Sequence, residues 1–99
     1  MQVMIDLCVV PLGVGVSVSN YIAECEKILH QAGLETQLHA YGTNVAGEWD
    51  DVFEAVRRCH ERVHALGAPR ITNTIRVGTR TDRAQTMTEK IDSVERKLQ

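Results

Sequence analysis

The chain has 99 residues, of which 43% are hydrophobic and 24% charged, and this length fits one domain without room for a second core. Its formal net charge of -2 gives no broad electrostatic attraction to nucleic acid or to an anionic membrane. No stretch reaches the ~18 consecutive apolar residues that a membrane-spanning helix needs. We therefore expect a single domain over residues 1–99, and no nucleic-acid or membrane partner.

The three cysteines, Cys8, Cys25 and Cys59, are odd in number and widely spaced. Such spacing matches neither a disulfide framework nor a zinc site. The apolar segment at the N-terminus carries Asp6 and lacks both a basic region and a small-residue cleavage site, which favours a strand over a signal peptide. The sequence therefore predicts reduced thiols and a cytoplasmic protein.

The first third of the chain predicts a strand followed by a helix. Residues 2–10 are apolar on both faces apart from Asp6, which is typical of a strand that is covered on both sides. A Pro- and Gly-containing break follows. The next apolar residues recur at helical spacing, with Ser17 or Ser19 as the expected N-cap and Gly33 as the stop.

The middle of the chain predicts a hairpin and a second helix. Apolar and polar residues alternate over 34–40, residues 41–44 form the expected turn, and a short strand follows over 45–48. The helical stripe over 52–66 is the most regular in the sequence, and Asp50 in front of it favours the positive end of that helix.

The last third predicts a strand over 71–79 and a third helix, which begins with a capping box at Thr86–Glu89. The resulting order, β-α-β-β-α-β with an extra C-terminal helix, predicts an α+β ferredoxin-like fold in which two helices cover one face of an antiparallel sheet. Because the first strand is apolar on both sides, the last helix or a second subunit must cover the other face.

One short motif, His60-Glu61-Arg62-Val63-His64, reproduces the H-E-x-x-H pattern of zinc proteases, in which two imidazoles one helical turn apart hold the ion. The longer protease pattern needs a third histidine where Arg70 stands, and the chain is too small for a substrate cleft. The histidines also lie beside the core stripe of the second helix. We expect a structural pair and no dedicated metal site, with incidental zinc binding left open.

Phosphate-loop and RNA-binding functions find little support in the sequence. Gly13 and Gly15 follow the first strand, but Val18 stands where a dinucleotide fingerprint needs a third glycine, and the loop has no lysine. The glycines are better explained by a tight turn. An RNA-recognition domain shares the predicted topology but stacks bases on strand aromatics, which the first and last strands lack.

The segment 41–50, Tyr-Gly-Thr-Asn-Val-Ala-Gly-Glu-Trp-Asp, brings an aromatic ring, a hydroxyl, an amide and carboxylates to the junction of the hairpin and the second helix. This composition suits a small aromatic cation, which would stack on the ring and face a carboxylate. In the alternative interpretation, Glu48, Asp50 and Asp51 only favour the helix dipole and Trp49 only seals the core.

Three segments, VVPLGVGVSVSNYIAE, YGTNVAGEWDDVFEAVRRCHE and TNTIRVGTRTDRAQTMTEKIDSVERKL, resemble in order the signature segments of the small thiamine-binding protein family. The resemblance covers essentially the whole chain. It implies a ferredoxin-like subunit, a homotetramer built as a dimer of dimers, and binding of thiamine or its hydroxymethylpyrimidine moiety without catalysis and without a further cofactor. The alternative is a regulatory or structural ferredoxin-like oligomer with a different ligand.

The resemblance also implies where the ligand binds. The family's Gly-Thr turn and acidic helix start match Thr43, Glu48 and Trp49, and its serine-rich segment matches Ser17 and Ser19. Since thiamine carries a permanent positive charge and an aminopyrimidine, we expect Glu48 to meet the amino group or the cation. Thr43 and Asn44 would hydrogen-bond the pyrimidine, and either serine would complete the wall. No catalytic residue and no metal ligand is predicted.

Overall fold

A computed structural model describes all 99 residues. It contains four strands and three helices in the predicted order. The elements are β1 (Gln2–Leu12), α1 (Ser19–Gln31), β2 (Glu35–His39), β3 (Gly42–Glu48), α2 (Trp49–Ala65), β4 (Arg70–Gly78) and α3 (Met87–Lys97).

The four strands form one antiparallel sheet in the order β2-β3-β1-β4. In the register of the two central pairings, Ile5 lies opposite Val45 on β3 and opposite Val77 on β4. Helices α1 and α2 pack against each other and against one face of this sheet. The predicted ferredoxin-like arrangement with an added C-terminal helix is confirmed.

The hydrophobic core fills the space between the sheet and the two helices. Because side chains alternate along a strand, β1 turns one row toward the helices and the other row toward the opposite side. The helix-facing row is buried and consists of Val3, Ile5, Leu7 and Val9. Full burial of one such side chain stabilises the fold by about 1.5–3 kcal/mol. This row therefore holds β1 firmly in the centre of the sheet.

The opposite sheet face, which we call the open face, is only partly covered in the single chain. Its β1 residues Met4, Asp6 and Cys8 are half-buried, and Val10 is 39% exposed. Helix α3 lies along one side of this face with Val94 58% exposed. The apolar first strand predicts that the open face is covered as well. Within one chain this cover is incomplete.

Two strand boundaries differ from the predictions. β1 continues to Leu12, because Pro11 and Leu12 still pair with β4. The predicted turn over 41–44 is shorter, and β3 already begins at Gly42. The sequence signal failed here because Gly, Thr and Asn favour turns in isolation, whereas pairing with β1 and β2 holds them in the strand.

The helix ends agree with the predictions in two of three cases. Thr86 caps α3, and its hydroxyl accepts a hydrogen bond from the N–H of Glu89 at 3.1 Å. Gly33 follows α1 with a φ of 74°, a conformation that glycine adopts without strain. The predicted serine N-cap of α1 is wrong, because Val18 occupies that position and no side chain caps the helix.

No helix of the structure combines the length and the apolar character that crossing a bilayer requires.

Candidate functional site

A groove of about 2140 Å³ separates the open face from the segment that leads into and forms α3. Its floor includes Met4 and Asp6 of β1 and Asn44 of β3, and its outer wall includes Ile91 and Val94 of α3. Of the 27 residues that line the groove, 10 are hydrophobic, and the others include charged side chains of both signs. Such a mixture is typical of small-molecule sites, in which apolar walls provide affinity and polar groups fix orientation.

Asp6 and His39 form the central polar pair of the open face. The Nε2 atom of His39 lies 2.6 Å from Oδ1 of Asp6, and the backbone N–H of Tyr41 donates to Nδ1 of His39 at 3.3 Å. Since Nδ1 accepts that bond, Nε2 must carry the ring proton and donate it to the carboxylate. The hydrogen bond holds the carboxylate of Asp6 and the ring of His39 together at the open face.

The predicted ligand residues Thr43 and Asn44 are neighbours on β3 but point to opposite faces of the sheet. Thr43 is 4% exposed on the helix-facing side, and its hydroxyl donates to the half-buried carboxylate of Glu26 on α1. Asn44 lies in the groove, opposite Asp6 in the strand register. Asn44 is therefore open to a ligand in the groove, while the Thr43 hydroxyl already has a partner inside the fold.

Glu48 and Trp49 lie where β3 ends and α2 begins. The carboxylate of Glu48 accepts bonds from the amino group of Met1 at 3.0 Å and from the side-chain amide of Gln2 at 2.6 Å. These two donors hold the pKa of Glu48 below its ordinary value, with the bond from the Met1 amino group as the largest cause. The ring of Trp49 packs against Phe53 with centroids 4.7 Å apart.

Around this junction the surface forms a shallow recess that is rich in carboxylates. Its lining consists of Met1, Glu48, Trp49, Asp50 and Asp51, and its volume is about 500 Å³. An exposed tryptophan edge beside three carboxylates has the composition that the sequence predicted for a site that binds an aromatic cation.

The remaining predicted residues, Ser17 and Ser19, lie at the other end of the sheet. Both are exposed in the loop that follows β1 and at the start of α1. Gln2, at the start of β1, pairs with Glu48, and the 11 residues of β1 span about 35 Å. Within one chain the serines and the Glu48 recess therefore cannot contact the same small molecule.

Sequence reasoning missed the Asp6–His39 pair and the Glu26–Thr43 bond. A signal for the first was present, because Asp6 is the one charged residue in an otherwise apolar strand. The sequence could not identify the partner of Asp6, since His39 lies 33 positions later on a strand that is not adjacent to β1.

A family model described as "Thiamine-binding protein" matches residues 5–95 of the chain. Among curated proteins, the UPF0045 protein sll0230 of Synechocystis is 67% identical over 95 residues, covering 96% of this chain and 78% of the relative. The UPF0045 protein ECM15 of Eremothecium gossypii is 41% identical over 99 residues, covering 99% of this chain and 94% of the relative.

Solved structures with low sequence identity share the fold. The crystal structure of hypothetical protein MJ1052 from Methanocaldococcus jannaschii superposes with a TM-score of 0.87 at 24% identity, covering 95% of this chain and 96% of the other. Protein TM0486 of Thermotoga maritima, provisionally assigned to thiamine biosynthesis or salvage, gives a TM-score of 0.81 at 17% identity, covering 95% and 99%.

Proposed function

Because the chain belongs to the thiamine-binding protein family, we propose that it binds thiamine or the hydroxymethylpyrimidine moiety of thiamine without catalysing a reaction. The match over residues 5–95 is the observation that carries this proposal. The groove on the open face supports it independently, since its chemistry suits a ligand that joins a cationic ring to a hydrogen-bonding heterocycle.

Each part of the ligand finds a counterpart in the groove. The carboxylate of Asp6, which lines the groove, suits a permanent positive charge or an amino group. The amide of Asn44 offers both a donor and an acceptor to a pyrimidine edge. Met4, Ile91 and Val94 supply apolar surface for the rings. We propose that Asp6 and Asn44 orient the ligand from the floor of the groove.

The recess at the start of α2 is the second place where a cationic ring would fit. There Glu48 would meet the amino group or the cation and Trp49 would stack on a ring, while Ser17 and Ser19 would contribute from the far end of the sheet. Since one chain keeps these two groups of residues apart, a site that uses both needs two chains.

We therefore propose that the functional unit is a homotetramer, a dimer of dimers. Apolar side chains at the open face support self-association, because Val10 and Leu12 are 39% and 38% exposed. A second copy on this face would complete the cover that β1 lacks within one chain.

Binding without catalysis is supported by the description of the family, which names binding and no reaction. The free thiols of Cys8, Cys25 and Cys59 fit the proposed cytoplasmic location, where disulfides are rare.

One observation favours a different ligand. The groove, at about 2140 Å³, exceeds the roughly 300–1,000 Å³ of a typical drug-sized pocket. A larger ligand, bound by a regulatory or structural ferredoxin-like oligomer, is therefore the second candidate.

Calorimetry and thermal shift with thiamine, its phosphates and hydroxymethylpyrimidine test the proposal, and the free thiazole half of thiamine serves as the control. A ligand present at 100 times its dissociation constant adds about 2.7 kcal/mol of stability, which raises the Tm of a domain of this size by about 10–20 °C. Asp6→Asn should weaken binding about tenfold or more. The absence of both heat and Tm shift with every compound would overturn thiamine binding. If Asp6→Asn binds as well as the wild type, the ligand binds outside the groove.

A further inference from the structure

His60 and His64 lie one turn apart on α2, near the C-terminal end of that helix. Side chains at positions i and i+4 lie on the same face of a helix, with Cβ atoms about 6 Å apart. His60 is half-buried and His64 is exposed. The two imidazoles therefore project from one accessible face of α2, outside the groove and outside the recess at the start of the helix.

The contacts of His64 fix which of its ring nitrogens is free. Its Nδ1 lies 2.8 Å from the carbonyl oxygen of Ala68, and because a carbonyl only accepts, Nδ1 carries the proton. The lone pair of the ring is then on Nε2, which makes no hydrogen bond within the fold. Metal-binding histidines are commonly oriented in this way, by donating their other N–H to a backbone carbonyl.

From this geometry we propose that His60 and His64 bind a divalent transition-metal ion through a pair of imidazoles. The proposal does not depend on thiamine binding. It also differs from a zinc-protease site, because Arg70 stands where the third histidine of such a site would be.

The charges around the two histidines favour a cation. Arg57 lies between Glu54 and Glu61 and contacts both carboxylates, so these three residues together carry a net negative charge. The C-terminal end of α2 adds the partial negative charge of the helix dipole. Arg62, the cation in the middle of the motif, is directed toward Glu24 of α1 at 3.6 Å.

The site has only two protein ligands, and both are imidazoles. The number and type of these ligands decide which ion binds and how tightly. No group of three or more His, Cys, Asp or Glu side chains is placed so that it could hold a metal ion, so water must complete the coordination at the two histidines. Imidazole suits zinc, copper and nickel ions better than magnesium or calcium. We therefore expect reversible binding of one zinc ion per chain, weaker than at a structural zinc site with four protein ligands.

Isothermal titration of the full chain with Zn²⁺ tests the site. A Cys8→Ser background removes the half-buried thiol as a competing ligand, while Cys25 and Cys59 stay in the core. Either His60→Gln or His64→Gln should weaken zinc binding about tenfold or more, whereas His30→Gln, which removes an exposed histidine of α1, should leave it unchanged. Glu61→Gln should also retain zinc binding.

A second readout is the Tm, which zinc should raise in the background protein and in His30→Gln but not in His60→Gln or His64→Gln. Circular dichroism of the variants without metal shows whether each one is folded. Equal zinc affinity in the background protein and in a folded His60→Gln variant would overturn the proposal, and so would zinc binding that His30→Gln abolishes.

Discussion

His39 reaches Asp6 across an intervening strand, since the two residues belong to β2 and β1 and β3 lies between them. The position that they span is Gly42, which pairs with His39 in the register of β2 and β3. A Cβ atom on Gly42 would lie 2.5 Å from the carbonyl oxygen of Leu7 and 3.5 Å from Cε1 of His39. The missing side chain thus allows the close approach to Leu7, whereas a Cβ atom would make only an ordinary contact with the ring of His39.

We predict that Gly42→Ala destabilises the fold by about 1–3 kcal/mol, because backbone must shift to relieve the contact with Leu7. Urea denaturation of the variant measures this difference. Gly78→Ala is the matched control, since a Cβ there would meet no atom nearer than the carbonyl oxygen of Met4 at 3.8 Å. Equal losses in the two variants would contradict the role assigned to Gly42.

The fold could be predicted from the sequence because each element carries its own local pattern. The period of two in β1, the helical stripe of α2 and the Thr86 cap are readable within short windows. The Asp6–His39 pair could not be predicted in the same way, since it depends on strand order. The groove likewise depends on the path of α3 relative to the open face, which no local pattern specifies.

The loop before α3 contains an ion pair whose contribution to stability depends on pH. Arg80 donates from Nε and Nη2 to the two carboxylate oxygens of Asp82 at 2.6 and 2.8 Å. These bonds lower the pKa of Asp82 to about 2. Because the folded pKa lies below the ordinary value of 3.8, the pair contributes stability above that value and loses it as the pH falls toward 2.

Carboxyl NMR titration should therefore show Asp82 ionised down to a pH of about 2. In Arg80→Gln the pKa of Asp82 should return toward its ordinary value, whereas Arg70→Gln, at the far end of β4, should leave it low. A wild-type Asp82 that titrates near 3.8 would show that Arg80 does not hold the carboxylate in solution.

Glu48 is the predicted carboxylate of the recess, and its pKa lies below the ordinary value. If thiamine binds there, Glu48→Gln should lower the calorimetric affinity about tenfold to a hundredfold, because it removes the charge that would meet the cation. Asp50→Asn should change the affinity little, since that carboxylate lies in the exposed first turn of α2. Equal affinities of wild type and Glu48→Gln, with the assembly intact, would remove Glu48 from the site.

The open face gives the clearest prediction about assembly. We expect light scattering at micromolar concentration to report a mass about four times the 11.0 kDa of the chain, because the exposed apolar residues of β1 need a second copy as cover. Val10→Asp places a charge on that face and should dissociate the tetramer to smaller species, whereas Val16→Asp, in the fully exposed loop after β1, should leave the mass unchanged. A monomeric wild type would contradict self-association. A tetramer that persists in Val10→Asp would show that the contact between subunits does not lie on the open face.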